Sequence, residues 1–348
     1  MSRVYLDWNA SAPLRPEARA AMVAALDLCG NPSSVHAEGR AARAVVERAR
    51  AQISAALGAG DADIVFTSGA TEAAALACAG RGLVSAAVEH EAIAAWTEPR
   101  LAVDPAGRVA VPDPGRAAVQ LANSETGVVQ DLPEGLAVSD FTQAFGKIAL
   151  SFAWSGVDVA IVSAHKIGGP KGVGALVMRR GLDLDARIRG GGQEMGRRSG
   201  TENLAGIAGF GAAAEAAASD LAAGAWEEVA EFRNILENAI AAGAPQTIFV
   251  GKEASRLPNT SCFVTPGWKG ETQVMAMDLA GFAVSAGSAC SSGKTRGSAA
   301  LRAMGFEPAE AASALRVSLG PGTGRDDVLG FAEAWLARHR KWRARAAA

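Results

Sequence analysis

The sequence is short of several things, and each shortage excludes a class of function. Of its 348 residues, 34 are Lys or Arg and 36 are Asp or Glu, a formal charge of −2. A general binder of nucleic acid carries a basic excess, and this chain has none. It has no run of about 18 uninterrupted apolar residues, so no membrane-spanning helix is expected. Its beginning, Met1-Ser2-Arg3-Val4-Tyr5-Leu6-Asp7, lacks the apolar stretch of a secretory signal, which points to a soluble cytoplasmic protein. Cysteine occurs four times, at 29, 78, 262 and 290, and no two have the close spacing of a zinc knuckle or a redox pair. No metal site is expected, and a disulfide framework would be out of place in a chain this long without a secretory signal. Each cysteine reads as core filler or a lone reactive thiol; the neighbours of Cys29, Cys78 and Cys262 favour filler. Lysine is scarce as well, seven against 27 arginines. Where arginine is the default cation, a lysine stands out as a candidate for amine chemistry.

What the chain does have is apolar residues, 49% of the total, enough for a sizeable core and for two domains. Charged residues, 20% of the chain, recur throughout and argue against disorder. Helical patterns cover 13–28, 38–57 and 221–242, with a further helix at the end. Short, unalternating apolar runs at 63–67, 82–87, 117–122, 136–138, 158–163 and 174–179 fit strands buried on both faces. Further strand candidates are 259–264, 281–285 and 316–319. There are no internal repeats. The fold class expected is α/β, a mostly parallel sheet with helices outside it in a large first domain and a smaller C-terminal domain.

Several segments could carry chemistry. Ser68-Gly69-Ala70-Thr71-Glu72 sits where a strand turns into a helix, and the N–H groups and dipole there suit a phosphate; the bland reading is an ordinary capped turn. Ser163-Ala164-His165-Lys166 follows a strand and precedes a glycine-rich loop, so Lys166 is either a Schiff-base nucleophile or one more solvated cation. Asp140 could pair with a protonated ring nitrogen or cap a helix. Cys290 lies among small residues in Gly287-Ser288-Ala289-Cys290-Ser291-Ser292-Gly293, a loop that would expose its sulfur. Gly293-Lys294-Thr295 imitates a nucleotide-binding loop, but the first glycine of that motif is replaced by Ser288. The basic run Arg338-His339-Arg340-Lys341-Trp342-Arg343 reads as a helix end complementing its dipole, with docking to an acidic partner as the alternative.

Taken in order, these segments resemble the cysteine desulfurases of the NifS/IscS type, class V aminotransferases with the type I fold of pyridoxal-phosphate enzymes. The resemblance is carried by Tyr5-Leu6-Asp7 with Asn9-Ala10, Asn31-Pro32-Ser33-Ser34-Val35-His36, Thr67 to Ala73, Glu89-His90 and Glu125-Thr126-Gly127. It continues through Asp140 with Gln143, Ser163 to Lys166, Gly190 to Glu194, Arg198 to Asn203, Ser285 to Cys290 and Arg316 to Gly320. It implies a large domain over 15–222 with a mostly parallel seven-stranded sheet. Residues 1–14 and 223–348 would form the small domain that carries the Cys290 loop.

The resemblance also implies roles. Lys166 would hold pyridoxal phosphate, Asp140 would face the ring nitrogen, Gln143 the ring hydroxyl, and His90 would stack on the ring and move protons. Ala70, Thr71, Ser163 and His165 would hold the phosphate, with Thr201 from the second subunit of a homodimer. Arg316 would pair with the carboxylate of L-cysteine, and Asn9 and Asn123 would also contact substrate. Cys290 would accept the sulfur as a persulfide, releasing L-alanine, and pass it to an acceptor protein such as an iron–sulfur scaffold. Alternatives left open are a related lyase or aminotransferase, such as a selenocysteine lyase, and a non-catalytic paralogue. Departures from the family pattern are Ser124 where a second asparagine is usual, Ala73-Ala74-Ala75, Trp8 and Arg189, together with shortening around 97–118 and 129–138.

Overall fold

The computed structural model describes residues 3–287 and 297–346. Cys290 and the Gly293-Lys294-Thr295 imitation lie outside the described residues. In chain order the first part runs β1 (Val4–Tyr5), α1 (Pro16–Leu26), α2 (Ala37–Ala56), β2 (Asp63–Thr67), α3 (Ala70–Cys78), β3 (Val84–Ala86), α4 (Glu91–Ala94) and β4 (Glu98–Leu101). Then come β5 (Ala118–Gln120), β6 (Val138–Asp140), β7 (Val159–Ser163), β8 (Gly174–Met178) and α5 (Leu204–Ala222). The remainder is α6 (Ala225–Gly243), β9 (Ile248–Phe249), β10 (Thr260–Val264), α7 (Gly270–Asp278), β11 (Phe282–Ala283) and β12 (Ser285–Ala286). It closes with α8 (Ala299–Ala303), α9 (Pro308–Ala311), β13 (Ala314–Ser318) and α10 (Arg325–Ala346).

The main sheet has the order β2-β8-β7-β6-β5. A single parallel bridge, Val84 to Ala117, joins the parallel pair β3-β4 to its far edge. Seven strands thus follow one another, and only β8 runs against the rest, pairing antiparallel with both β2 and β7. Every residue of β7 and β8 is buried, as expected of strands covered on both faces. Their alternation divides the core. Phe66, Ala160, Val162, Ala175 and Val177 join the layer beneath α1, α2 and α5, while Val65, Val159, Ile161, Leu176 and Met178 face α3 on the other side.

Helix α5 is absent from the reading by periodicity, because Gly206, Gly209 and Gly211 interrupt its pattern. Packing explains them. A Cβ on Gly209 would meet the Met22 side chain at 2.6 Å, and one on Gly211 the Ala49 backbone at 2.6 Å, so the glycines let α1 and α2 lie close.

A second core gathers Leu6, Trp226, Phe263, Trp268, Phe331 and Trp335 around an antiparallel sheet of order β12-β13-β10-β9. The strand expected over 281–285 divides at Val284 into β11, which pairs with β1, and β12, which pairs with β13. The basic run at the end lies on α10, where His339 is buried and stacks on Trp335 at 5.1 Å. Trp8 is accommodated by Gly320, where an added Cβ would stand 2.0 Å from the indole. Among the described residues no helix is long and apolar enough to cross a membrane.

Candidate active site

Strands β2, β5, β6 and β7 all point the same way, and their carboxyl ends open onto one cavity of about 570 Å³. This is where ligands bind in parallel α/β sheets, because chain leaves each strand there with backbone and side chains unpaired by the sheet. Ser68 and Gly69 come from the end of β2, Gln120 from β5, Asp140 from β6 and Ser163 from β7. The N-terminal segment supplies Asn9, and β13 of the second sheet supplies Arg316.

Lys166 ends a single 3-10 turn, Ala164–Lys166, that follows β7 directly. Its Nζ donates to the carbonyls of Asn9 at 2.6 Å and Ala10 at 2.9 Å. The amine is therefore aimed by the N-terminal segment, which crosses the cavity.

At one end of the cavity, α3 begins at Ala70 and Thr71 with no side-chain cap. Its first N–H groups and dipole face an anion site. Gly174 fixes this helix end, since a Cβ there would meet Val162 O at 2.7 Å and the Gly69 backbone at 2.8 Å. His165 stands beside it, its Nδ1 3.3 Å from Ser11 Oγ. Burial, then the charges of Lys166 and Lys171, push the His165 pKa down to about 4, so it is neutral and can donate or accept.

Asp140 lies toward the other end, its Oδ1 accepting the Thr142 N–H at 2.8 Å. His90 lines the wall and caps α4, its Nδ1 accepting from the Ala92 N–H at 3.1 Å. That contact assigns the proton of the neutral ring to Nε2. Behind Asp140, burial pushes Glu89 well above the usual carboxylate range, and the Asp140 charge adds to it. Glu89 Oε2 accepts the Gln120 N–H at 2.9 Å.

The two asparagines expected to contact substrate are both engaged by the protein itself, Asn9 in the cavity wall and Asn123 outside it. Asn9 spends its Nδ2 on Ser124 O and Thr260 Oγ1, and its Oδ1 accepts from Lys147 and Asn259; its side chain has no capacity left for substrate. Asn123 is not in the cavity wall. Its Oδ1 accepts from Glu125 N and Thr126 N, and its Nδ2 donates to Val88 O, which makes it the organiser of its own turn. Ser124, the departure from the family pattern, does line the cavity, and its carbonyl accepts from Arg316 Nη1 at 3.1 Å.

Arg316, on β13, reaches the cavity from the side, with Nη2 on Asp7 Oδ1 at 2.8 Å. Its buried Nε has no hydrogen-bond partner among the described residues. Gln143 lines the cavity, with Nε2 on Asn9 O at 3.0 Å. Thr201 is exposed and lines a separate hollow of about 250 Å³, which shares Ser68 and Gly172 with the main cavity. Cys78 and Cys262 are buried, and burial raises both thiols to about 12, so they are inert. Cys29, expected as filler, is exposed, because it lies just beyond α1.

Two groups were given no role in the reading of the sequence. Lys147 is buried, with Nζ on Gln143 Oε1 at 2.7 Å and Asn9 Oδ1 at 3.0 Å; its only signal was its membership of a scarce residue type. Glu125 is the other. Burial raises its pKa to about 7 although a Ser298 hydrogen bond, Arg316 and His90 all pull it down. Its Oε2 lies 3.3 Å from where a Cβ on Gly287 would stand, so Glu125 touches both Gly287 and Ser298.

The donor set fits pyridoxal phosphate: uncapped helical N–H groups, Ser163 and His165 for a phosphate, an amine in the middle, and a carboxylate beyond it.

Comparison with known proteins agrees with that geometry. The family described as Aminotransferase class-V matches residues 4–102 and 100–331. A protein named cysteine desulfurase from Cereibacter sphaeroides is 41% identical over 92% of this chain and 91% of its own length. Another of that name from a Frankia strain is 39% identical over 93% of this chain and 88% of its own. Among solved structures, a NifS-like protein from Rickettsia africae superposes with a TM-score of 0.87 at 30% identity, over 97% of this chain and 99% of that one.

Proposed function

The chain belongs to the class-V aminotransferase family, among its pyridoxal-phosphate-dependent cysteine desulfurases, and on that premise we propose that it converts L-cysteine to L-alanine while Cys290 takes the sulfur. The single observation that carries this reading is the Lys166 amine held between an uncapped helix N-terminus and the Asp140 carboxylate in one cavity. Ala70, Thr71, Ser163 and His165 would hold the cofactor's phosphate, Lys166 its aldehyde carbon, Asp140 its ring nitrogen and Gln143 its ring oxygen. When bound, the cofactor supplies an electron sink for the carbon that loses its proton.

The remaining chemistry belongs to the chain. Arg316 offers its spare N–H groups, the buried Nε among them, to the substrate carboxylate. His90 is a proton donor from Nε2, since Nδ1 is engaged by the backbone. The Cys290 thiolate attacks the substrate sulfur; the S–S bond forms as the C–S bond breaks, and the carbon fragment takes up a proton to leave as alanine. A sulfur acceptor, such as an iron–sulfur scaffold protein, then removes the outer sulfur of the persulfide.

The active form is a cytoplasmic homodimer in which the second subunit's copy of position 201 completes the phosphate site; an exposed Thr201 outside its own chain's cavity supports this arrangement. We read the chain as a large domain over 15–222 and a small one of 1–14 and 223–348, a division supported by the separate apolar cores of the two sheets. Adding L-cysteine and a reductant to the cofactor-loaded protein should release alanine and sulfide in equal amounts. Pyruvate or keto acid in place of alanine would overturn the desulfurase reading in favour of elimination or transamination.

A further inference from the structure

Resting on the reading that the cavity holds pyridoxal phosphate, we propose that Lys147 is a positioning residue that locks the Gln143 amide with its nitrogen toward the cavity, as a donor to the ring oxygen. A lysine nitrogen in this setting offers N–H groups, and the atoms it reaches are Gln143 Oε1 at 2.7 Å and Asn9 Oδ1 at 3.0 Å. Both amides are thereby oriented, because a flip of either would set N–H against N–H. Gln143 Nε2 spends one hydrogen on Asn9 O at 3.0 Å, and its second remains for the cavity it lines. The same Asn9 carbonyl accepts from Lys166 Nζ at 2.6 Å, so one backbone oxygen ties the locked amide to the reactive amine.

Burial makes the arrangement costly, which argues for a use. The Lys147 side chain is 2% exposed and has no ion pair among the described residues. Its charged neighbours are cationic, Lys166 in the turn after β7 and Arg316 on β13, while the nearby His165 is neutral. Asp7, the nearest carboxylate on the N-terminal segment, is engaged by Arg316, and Asp140 lies across the cavity with His90. An apolar residue would fill the space at lower cost. What it could not do is hold two amide oxygens away from the ring.

The readout is the colour of the bound cofactor. A donor on the ring oxygen favours its anionic form and lowers the pH at which the visible absorbance of the resting holoenzyme titrates. Without Lys147 the Gln143 amide keeps only its bond to the Asn9 carbonyl and is held less firmly, and the midpoint should rise by about one pH unit, a tenfold change in proton affinity. Lys147→Gln, which keeps an N–H near the same place, should move it by less than half as much. In a Gln143→Met background, Lys147→Met should add no further shift. An unmoved midpoint in Lys147→Met, equal shifts in the Met and Gln variants, or an undiminished shift in the Gln143→Met background would overturn the proposal. A wild-type protein that takes up no chromophore overturns the functional reading and this one with it; a titrating wild type beside an unmoved variant overturns this one alone.

Discussion

Arg316 Nη2 and Asp7 Oδ1 lie 2.8 Å apart, and this pair joins β13 to the N-terminal segment at the edge of the cavity. The aspartate is itself held, its Oδ2 accepting from Ser285 Oγ at 2.7 Å. A guanidinium already paired with one carboxylate stays fixed in place, and under the proposed function it would meet the substrate carboxylate with the donors Asp7 leaves over.

Removing one partner of a buried pair strands the other charge. Asp7→Asn should therefore destabilise the protein by about 3 kcal/mol in urea unfolding. It should also raise KM for L-cysteine, because Arg316 is no longer held. A loss below about 1 kcal/mol would mean that solvent or Ser124 replaces the aspartate.

Glu125 sets a pH dependence of stability whose sign follows from its raised pKa. In the unfolded chain it titrates near 4.5, as an ordinary glutamate does, and in the fold at about 7. The folded state thus holds a proton that the unfolded state has released, and the resulting stability is full below pH 4.5 and declines until pH passes about 7. Glu125→Gln should remove this slope, so that the variant gains about 3 kcal/mol relative to wild type between pH 4.5 and 8. Parallel urea curves for the two proteins across that range would refute the assignment.

Gly174 is the backbone spacer under the start of α3, where the cofactor's phosphate is proposed to sit. Gly174→Ala drives a Cβ into Val162 O and the Gly69 backbone, and neither can move without displacing the start of α3. Stability should fall by about 2 kcal/mol. Cofactor retained after dialysis should fall with it, measured by absorbance per mole of chain. Full retention would show that the helix end tolerates the displacement.

Cys290→Ser should lower sulfide release from L-cysteine by at least about a hundredfold, since an alkoxide at neutral pH is scarcely populated where a thiolate is. Cofactor absorbance should be unchanged. Turnover near the wild-type rate would assign the sulfur acceptor to another thiol, of which exposed Cys29 is the one to test next.

Much of the site was legible in sequence because its parts are local. Lys166, Asp140 and Ser163 each stand at the end of an apolar strand, where a short run of residues reveals both the element and its exit. The engagement of Asn9 was illegible for the opposite reason. An amide is equally able to serve substrate or protein, and the partners of Asn9 (Lys147, Thr260 and Asn259) are more than 130 residues away. Lys147 was hidden in the same way, its role defined by an oxygen on the N-terminal segment. Helix α5 was lost because its glycines count as breakers until Met22 and Ala49 are seen pressed against them. Trp8 and Ser124, departures in sequence, are absorbed by Gly320 and by a backbone carbonyl that any residue could supply.

The amino-terminal thread contributes Leu6 to one core, Asp7 to the arginine and the Asn9 and Ala10 carbonyls to the reactive amine, all within five residues. Limited proteolysis that nicks this stretch, or a circular permutant opened within it, would release Leu6 from its core and the Lys166 amine from its two carbonyls in one stroke.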